Sequence, residues 1–348
     1  MRRLLIVIVL VLIPHLVSAR TWYVTSDGLA DAPSIQAGVD SASAGDTVLV
    51  ACGTYFESNI MIKSGIVILS ETGQAECAVI DAQWINSVLS CHGCNSATII
   101  KGFTLTHGHA PLPPPGWGGG VVSTDGSEQF INCVFTDNVA SQGAGAFCQG
   151  GDPTFTDCLF SNNDGGEGGA LLLDGVVATV SGCTFTGNSS SLGGTVWCSN
   201  GSPRIMHCTF YDNPAEDGGA QIYCYFEGSP AIENTIIAYS SFGEAVHCED
   251  ETNSPTLTCC DLYGNAEGDW VGCISDQLGV NGNFSACPSF CDAGEGDLHL
   301  CDESPCLPGN HPAGYDCGLL GAWGEGCSCG PSRVETTTWG VIKSLYRQ

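Results

Sequence analysis

The sequence predicts an all-β chain wound as a single parallel coil, a β-helix with three strands per turn. Three observations lead there. Four consecutive blocks open alike, Cys133-Val-Phe-Thr-Asp-Asn138, Cys158-Leu-Phe-Ser-Asn-Asn163, Cys183-Thr-Phe-Thr-Gly-Asn188 and Cys208-Thr-Phe-Tyr-Asp-Asn213, each 25 residues after the last. A fixed period of that length marks a unit that cannot bury its own apolar face and must stack on its neighbours. Aligned on the cysteine, the blocks show three apolar columns, and turn residues recur at fixed offsets between them.

Residues 1–19 read as a signal peptide. Arg2 and Arg3 precede an apolar run from Leu4 to Val17, and Val17-Ser18-Ala19 suits signal peptidase. The run, interrupted by Pro14 and His15, is short for a membrane span. The expectation is a protein that is secreted, extracellular or on the outer cell surface, with no integral span after cleavage; an uncleaved anchor is the alternative. Twenty-two cysteines in an exported chain imply an oxidising compartment. A net charge of −28 with only 9 Lys plus Arg leaves few positions for a phosphate backbone, which argues against nucleic acid as a partner.

Residues 20–60 are assigned to an N-terminal cap and first coil. Pro33-Ser-Ile-Gln-Ala-Gly-Val-Asp40 reads as a short amphipathic helix and Gly45-Asp-Thr-Val-Leu-Val50 as a strand, together covering the open end of a hydrophobic prism. The coil body is placed at 61–300. Its early turns are Ile66-Val-Ile-Leu69, Ala78-Val-Ile80, Ser87-Val-Leu89 and Thr98-Ile-Ile100, followed by a proline-stiffened excursion from His109 to Trp117.

In the clean repeats the first inward column is Cys133, Cys158, Cys183 and Cys208 with Phe135, Phe160, Phe185 and Phe210, since alternate residues of a strand share a face. The second is Phe147, Leu172, Trp197 and Ile222, also assigned inward. The third is Phe155, Val180, Ile205, Ile232 and Leu257. Asn138, Asn163, Asn188 and Asn213 sit at a corner, where Asn tolerates a left-handed backbone and its amide can bond to neighbouring coils. Gly143, Gly168, Gly193 and Gly218 mark the next bend, and Pro153, Pro203, Pro230 and Pro255 start the third strand. About ten coils at about 4.8 Å each make a rod about 50 Å long.

The F-x-x-N and G-G-A-hydrophobic pairs, as in Phe160-Ser-Asn-Asn163 with Gly168-Gly-Ala-Leu171, resemble the repeats of chlamydial polymorphic outer-membrane proteins. More broadly the chain resembles bacterial right-handed parallel β-helix proteins of the pectin-lyase-like fold, over roughly residues 22 to 325. The resemblance implies the right hand of the coil. The autotransporter barrel of the chlamydial proteins has no counterpart, so self-secretion does not carry over.

Lyases of this fold use calcium held by clustered carboxylates and an Arg or Lys base. Between Thr21 and Pro331 the basic residues are Lys63, Lys101 and Arg204, none in a lyase motif. Hydrolases need paired Asp with His and Arg. His107-Gly-His109 and Arg204-Ile-Met206 resemble polygalacturonase pieces, without the Asp segments that precede them there. Gly53-Thr-Tyr-Phe-Glu57 matches a pectin methylesterase stretch whose catalytic segments do not occur here, so it reports a common cap. No catalytic residue is assigned.

Cys91-His-Gly-Cys94 is a lone C-x-x-C. A haem site would need His at 95, which is Asn95, and a structural zinc a second Cys/His pair, so a disulfide or two buried thiols is expected. Most of the ladder Cys133, Cys158, Cys183, Cys208 is expected to stay reduced, because in-register strands hold the Cβ vectors side by side. Residues 301–330 form a Cys-rich C-terminal cap stiffened by crosslinks, with Cys291–Cys301 and Cys306–Cys317 the preferred pairs. No cofactor is assigned; a structural calcium at Glu249-Asp-Glu251, Glu295-Gly-Asp297 or Asp212 with Glu216-Asp217 is left open. The tail, 331–348, places Trp339, Ile342 and Leu345 at threefold spacing and reads as a sorting or docking segment or a frayed end.

These readings converge on a secreted, monomeric, non-catalytic β-helix presenting its surface to a polysaccharide or cell-surface partner. The alternative is a polysaccharide lyase or glycoside hydrolase, which Lys101 or Arg204 within reach of two or more carboxylates would favour.

Overall fold

The computed structural model describes residues 19–110, 116–215 and 219–329. Residues 1–18 of the expected signal peptide, most of the proline excursion, Glu216 to Gly218 and the tail from 330 lie outside the described residues.

Successive strands of the chain go in rotation to three stacked parallel sheets of ten, nine and eight strands. The coil makes about 12 turns, against the ten expected. The ten-stranded sheet starts at Thr21–Val24 and ends at Thr256–Thr258; the nine-stranded runs from Gly53–Tyr55 to Asp261–Tyr263, and the eight-stranded from Ile60–Ile62 to Glu244–Cys248. A short fourth sheet, His109–Ala110, Val139–Gln142, Asp164–Glu167 and Ser189–Ser190, forms at the bend between the second and third.

The helix Ile35–Ser41 closes the N-terminal end. Ser34 caps it by accepting from Ala37 N, and the Glu57 carboxylate takes Ile35 N at 2.7 Å and Gln36 N at 3.0 Å. A negative charge at the orphan amides of a helix start is favourable. The Gly53-Thr-Tyr-Phe-Glu57 motif is thus a capping device: Tyr55 is buried and bonds through its hydroxyl to Ala51 O, and Glu57 holds the helix.

Inside, repetition becomes stacking. Phe135, Phe160, Phe185 and Phe210 are fully buried, with ring centroids 4.5, 4.9 and 4.4 Å apart and planes within 8°. Phe155, Val180, Ile205, Ile232 and Leu257 form a second inward row in register. The asparagines make a hydrogen-bonded ladder: Asn138 Nδ2 donates to Asn163 Oδ1 at 3.0 Å, Asn163 to Asn188 at 2.8 Å, and Asn188 to Asn213 at 2.8 Å. The left-handed backbone expected at these asparagines lies instead one residue earlier, at Asp137, Asn162, Gly187 and Asp212, which frees each buried amide to face along the axis. At the bend, Gly143 has φ +60°, and a Cβ there would fall 2.4 Å from Ala146 O.

Five disulfides form. The expected pairs Cys291–Cys301 and Cys306–Cys317 do not; Cys291 joins Cys327, Cys301 joins Cys329 and Cys317 joins Cys259, while Cys306 stays a buried thiol whose Sγ donates to Asp261 Oδ2. Spacing misled because the C-terminal segment does not form local loops. It folds back along the coil, where Gly321 N bonds to Asn234 O and Trp323 Nε1 reaches Thr184 Oγ1 at 2.9 Å. A three-stranded sheet of Phe290–Asp292, Asp297–Cys301 and Glu325–Cys327 spans both sides of position 300. Cys52–Cys77 and Cys248–Cys273 each tie residues 25 apart, one coil to the next. The ladder cysteines Cys133, Cys158, Cys183 and Cys208 are free and buried.

Candidate functional site

The second apolar column corrects the sequence reading. On the eight-stranded sheet, Val122, Phe147, Leu172, Trp197, Tyr223 and His247 stand in register on one face. That face is the outer one: Phe147, Leu172 and Trp197 cluster with Trp117, Val122 and Tyr223, apart from the core that holds Ala146, Cys148, Leu171, Leu173, Val196 and Cys198. In Ala146-Phe-Cys148 and Val196-Trp-Cys198 all three residues are apolar, so the alternation that fixes the inward face is hidden. The row then continues through Tyr223, because Ile222 aligns with Val196 and faces the core.

Phe147, Leu172, Trp197 and Tyr223 floor a groove of about 670 Å³. Trp117 stacks on Phe147 at 4.7 Å, Trp197 on Tyr223 at 4.6 Å, and Tyr223 on His247 at 4.8 Å. Tyr225 and Phe226, 41% and 56% exposed, form one wall. From Val122 to His247 the row crosses five coil spacings, about 24 Å.

The rim is polar and acidic. Gln142, Gln149 and Asn200 join Glu167, Asp174 and Glu249 among the lining residues, which include no Lys or Arg. Burial pushes the Asp174 carboxyl up, but hydrogen bonds from Asn200, Gln149 and Ser199 outweigh it and hold the group below the usual carboxylate range. Glu167 accepts from Gln142 Nε2 and Glu249 from the Tyr223 hydroxyl. At the end of the row the hydrogen bond to Glu244 raises His247, burial opposes it, and the charges of Glu244 and Glu249 add to the rise.

The remaining sequence candidates lie elsewhere. Lys101 and Arg204 belong to the ten-stranded sheet, and among the described residues Arg204 pairs with Glu233 alone, at 3.0 Å. His107 sits 3.0 Å from Asp81 beneath Trp84. Of the calcium candidates, Asp250 is bonded to Thr252 and Asp297 to His299, and Glu216 and Asp217 lie outside the described residues. Cys91 and Cys94 are free, buried thiols. Among the described residues no helix is long and apolar enough to cross a membrane.

No curated protein matches the sequence. Solved structures similar to this chain include the following three. A pectin methylesterase mutant in complex with a hexasaccharide is 13% identical, covering 82% of this chain and 98% of its own, with a TM-score of 0.45. Pectin methylesterase PemA from Erwinia chrysanthemi is 12% identical over 76% and 92%, with a TM-score of 0.45. A pectate lyase is 18% identical over 71% and 64%, with a TM-score of 0.42. The family profile described as a right-handed β-helix region matches residues 87–285. With that match over more than half its length, on three stacked parallel sheets, this chain belongs to the right-handed β-helix family.

Proposed function

We propose that the protein is a secreted β-helix that binds a neutral polysaccharide along the aromatic groove and does not cleave it. The observation that carries this reading is the exposed pair Tyr225 and Phe226 walling a groove floored by the row of Phe147, Leu172, Trp197 and Tyr223. Aromatic faces offer a pyranose ring apolar contact at little entropic cost, and the amides and carboxylates of the rim supply hydrogen bonds that orient its hydroxyls. A uronate chain would meet Glu167, Asp174 and Glu249 with no cation among the lining residues, so the charge pattern favours an uncharged glycan. The leader and the five disulfides support export.

The non-catalytic part rests on how the acids are tied. Glycoside cleavage wants one carboxyl protonated as an acid and a second poised as base or nucleophile. Asp174 is held ionised by three donors, and Glu167 and Glu249 are each bonded to a neighbour. The presence of three carboxylates in one groove is the observation that keeps a hydrolase as the second reading. Both are tested by incubating the protein with a panel of neutral and acidic polysaccharides, with and without Ca²⁺, reading retention and reducing-end or unsaturated product. Retention of neutral glycans without product supports the proposal; product that Asp174→Asn abolishes would replace it with the hydrolase.

A further inference from the structure

A second, unrelated constellation lies inside the coil. Cys91 and Cys94 flank the end of strand Leu89–His92, and Glu128 immediately precedes strand Gln129–Ile131, a coil further on. The two thiols and a Glu128 oxygen lie within 4.8 Å of one another. Cys91 and Glu128 are 0% exposed and Cys94 2%. Neither thiol is in a disulfide, and neither oxygen of Glu128 has a hydrogen-bond partner. The Ser123 hydroxyl is buried without a partner too. It shares the same space, since a Cβ on Gly126 would fall 2.3 Å from Glu128 Oε2 and 2.5 Å from Ser123 Oγ.

A buried carboxylate with nothing to bond is strongly unfavourable unless it takes up a proton or a cation meets it. Among the described residues no Lys or Arg bonds to Glu128; Lys63 bonds instead to Asp40 O and Ala42 O, and Arg204 to Glu233. His92, between the two cysteines, turns its Nδ1 to Thr124 Oγ1. We propose that Cys91, Cys94 and Glu128 hold a structural transition-metal ion, with Zn²⁺ the best fit, which pins the Cys91–Cys94 turn to the next coil. Two sulfur ligands select a borderline-soft ion over Ca²⁺ or Mg²⁺. Tetrahedral zinc with bonds of about 2.0–2.3 Å spaces its ligand atoms about 3.3–3.8 Å apart, inside the observed grouping. Binding releases the two thiol protons to solvent, and the fourth position falls to Ser123 Oγ or a water beside it. The sequence hid this site because the partner of the C-x-x-C is a single carboxylate 34 positions after Cys94, brought alongside by one turn of the coil. The competing outcome, a Cys91–Cys94 disulfide, would leave Glu128 unmet.

The test uses the full chain, purified without chelator, analysed for metal content and then stripped and reloaded with Co²⁺. About one zinc per chain is expected, with a thiolate-to-cobalt charge-transfer band and the intense visible bands of a tetrahedral site. Glu128→Gln and Cys91→Ser should each weaken Co²⁺ binding by more than the roughly tenfold that even outer-shell changes cost, while Cys133→Ser, a buried thiol outside the cluster, should not. Should the variants fail to fold, the wild-type cobalt spectrum decides, and absence of the thiolate band overturns the proposal. A Cys91–Cys94 disulfide found by peptide mapping of metal-free native protein overturns it as well, as does metal binding that survives both substitutions.

Discussion

Replacing Asn163 with alanine should destabilise the coil by about 2–4 kcal/mol. Asn163 is fully buried, and its side chain makes four hydrogen bonds. Nδ2 donates to Phe135 O at 2.9 Å and Asn188 Oδ1 at 2.8 Å; Oδ1 accepts from Asn138 N at 3.2 Å and Asn138 Nδ2 at 3.0 Å. Not every partner is stranded by the change. Asn138 Nδ2 keeps Leu105 O, and Asn188 Oδ1 keeps the backbone N of residue 163. Asn138 N loses its acceptor outright and Phe135 O loses one donor. An orphaned buried group costs about 1–3 kcal/mol, and the lost amide leaves a small void. Urea unfolding followed by far-UV circular dichroism should show a lower midpoint at unchanged slope. Asn163→Asp is the sharper probe. It keeps the acceptor for Asn138 but turns a carboxylate oxygen toward Phe135 O and Asn188 Oδ1, so at neutral pH it should cost at least as much as alanine. A loss below about 0.5 kcal/mol for alanine, the range of an ordinary surface change, would refute the view that the ladder locks one coil to the next.

Three further outcomes are expected. Tyr225→Ala should abolish retention on neutral polysaccharide gels while leaving the thermal midpoint unchanged, because its ring is 41% exposed; unaltered retention would remove the groove from the binding reading. Asp261, which burial chiefly pushes up to about 7 against hydrogen bonds from Ala286 N and Cys306, holds its proton in the folded state where an unfolded aspartate has lost it. Stability should therefore fall as pH rises from about 4 to about 7 and then level off, and Asp261→Asn should flatten this slope, as pH-resolved urea titrations would show. Glu57→Ala, which strips the acceptor from Ile35 N and Gln36 N, should cost about 1–2 kcal/mol and loosen the cap, read as faster amide exchange in Ile35–Ser41 while the central coils are unaffected.

What could be read from the sequence follows a physical division. Residues that perform the same task in every coil, such as Phe160, Asn163 and Val180, repeat at the period of the coil and announce themselves. So does the cap helix, whose Ser34 acts locally. The groove did not show, because a side chain on the outer face answers to no neighbour that repeats. Val122, Phe147, Leu172, Trp197, Tyr223 and His247 change identity at each turn, and two of the residues flanking Phe147 and Trp197 are cysteines as apolar as a core demands. The disulfides of the C-terminal cap failed for a different reason. Cys259 with Cys317 and Cys301 with Cys329 are close only because the chain doubles back along the rod, and no local spacing encodes that return.

The stacking geometry also decides which rings are free to meet a ligand. Trp117 on Phe147 and Trp197 on Tyr223 lie within 7° of parallel at 4.6–4.7 Å, the same pitch as the phenylalanines of the core. Rings stacked face to face along the axis spend their faces on one another and offer the groove mainly edges. Phe147 and Trp197 are accordingly 2% and 8% exposed, and Leu172, at 3%, fills the step between them. Tyr225 breaks this order, inclined 42° to Trp197, and Phe226 is inclined 39° to Tyr225. A sugar ring seeking an aromatic face finds it on these two, at the coil where the strand lengthens to Ala220–Tyr225 and the turn passes through positive φ at Phe226 and Glu227. The regular row is therefore the floor that sets the groove's depth and direction, and the irregular turn beside it supplies the contact surface. Trp197→Ala should then lower stability and affinity together, whereas Tyr225→Ala should lower affinity alone.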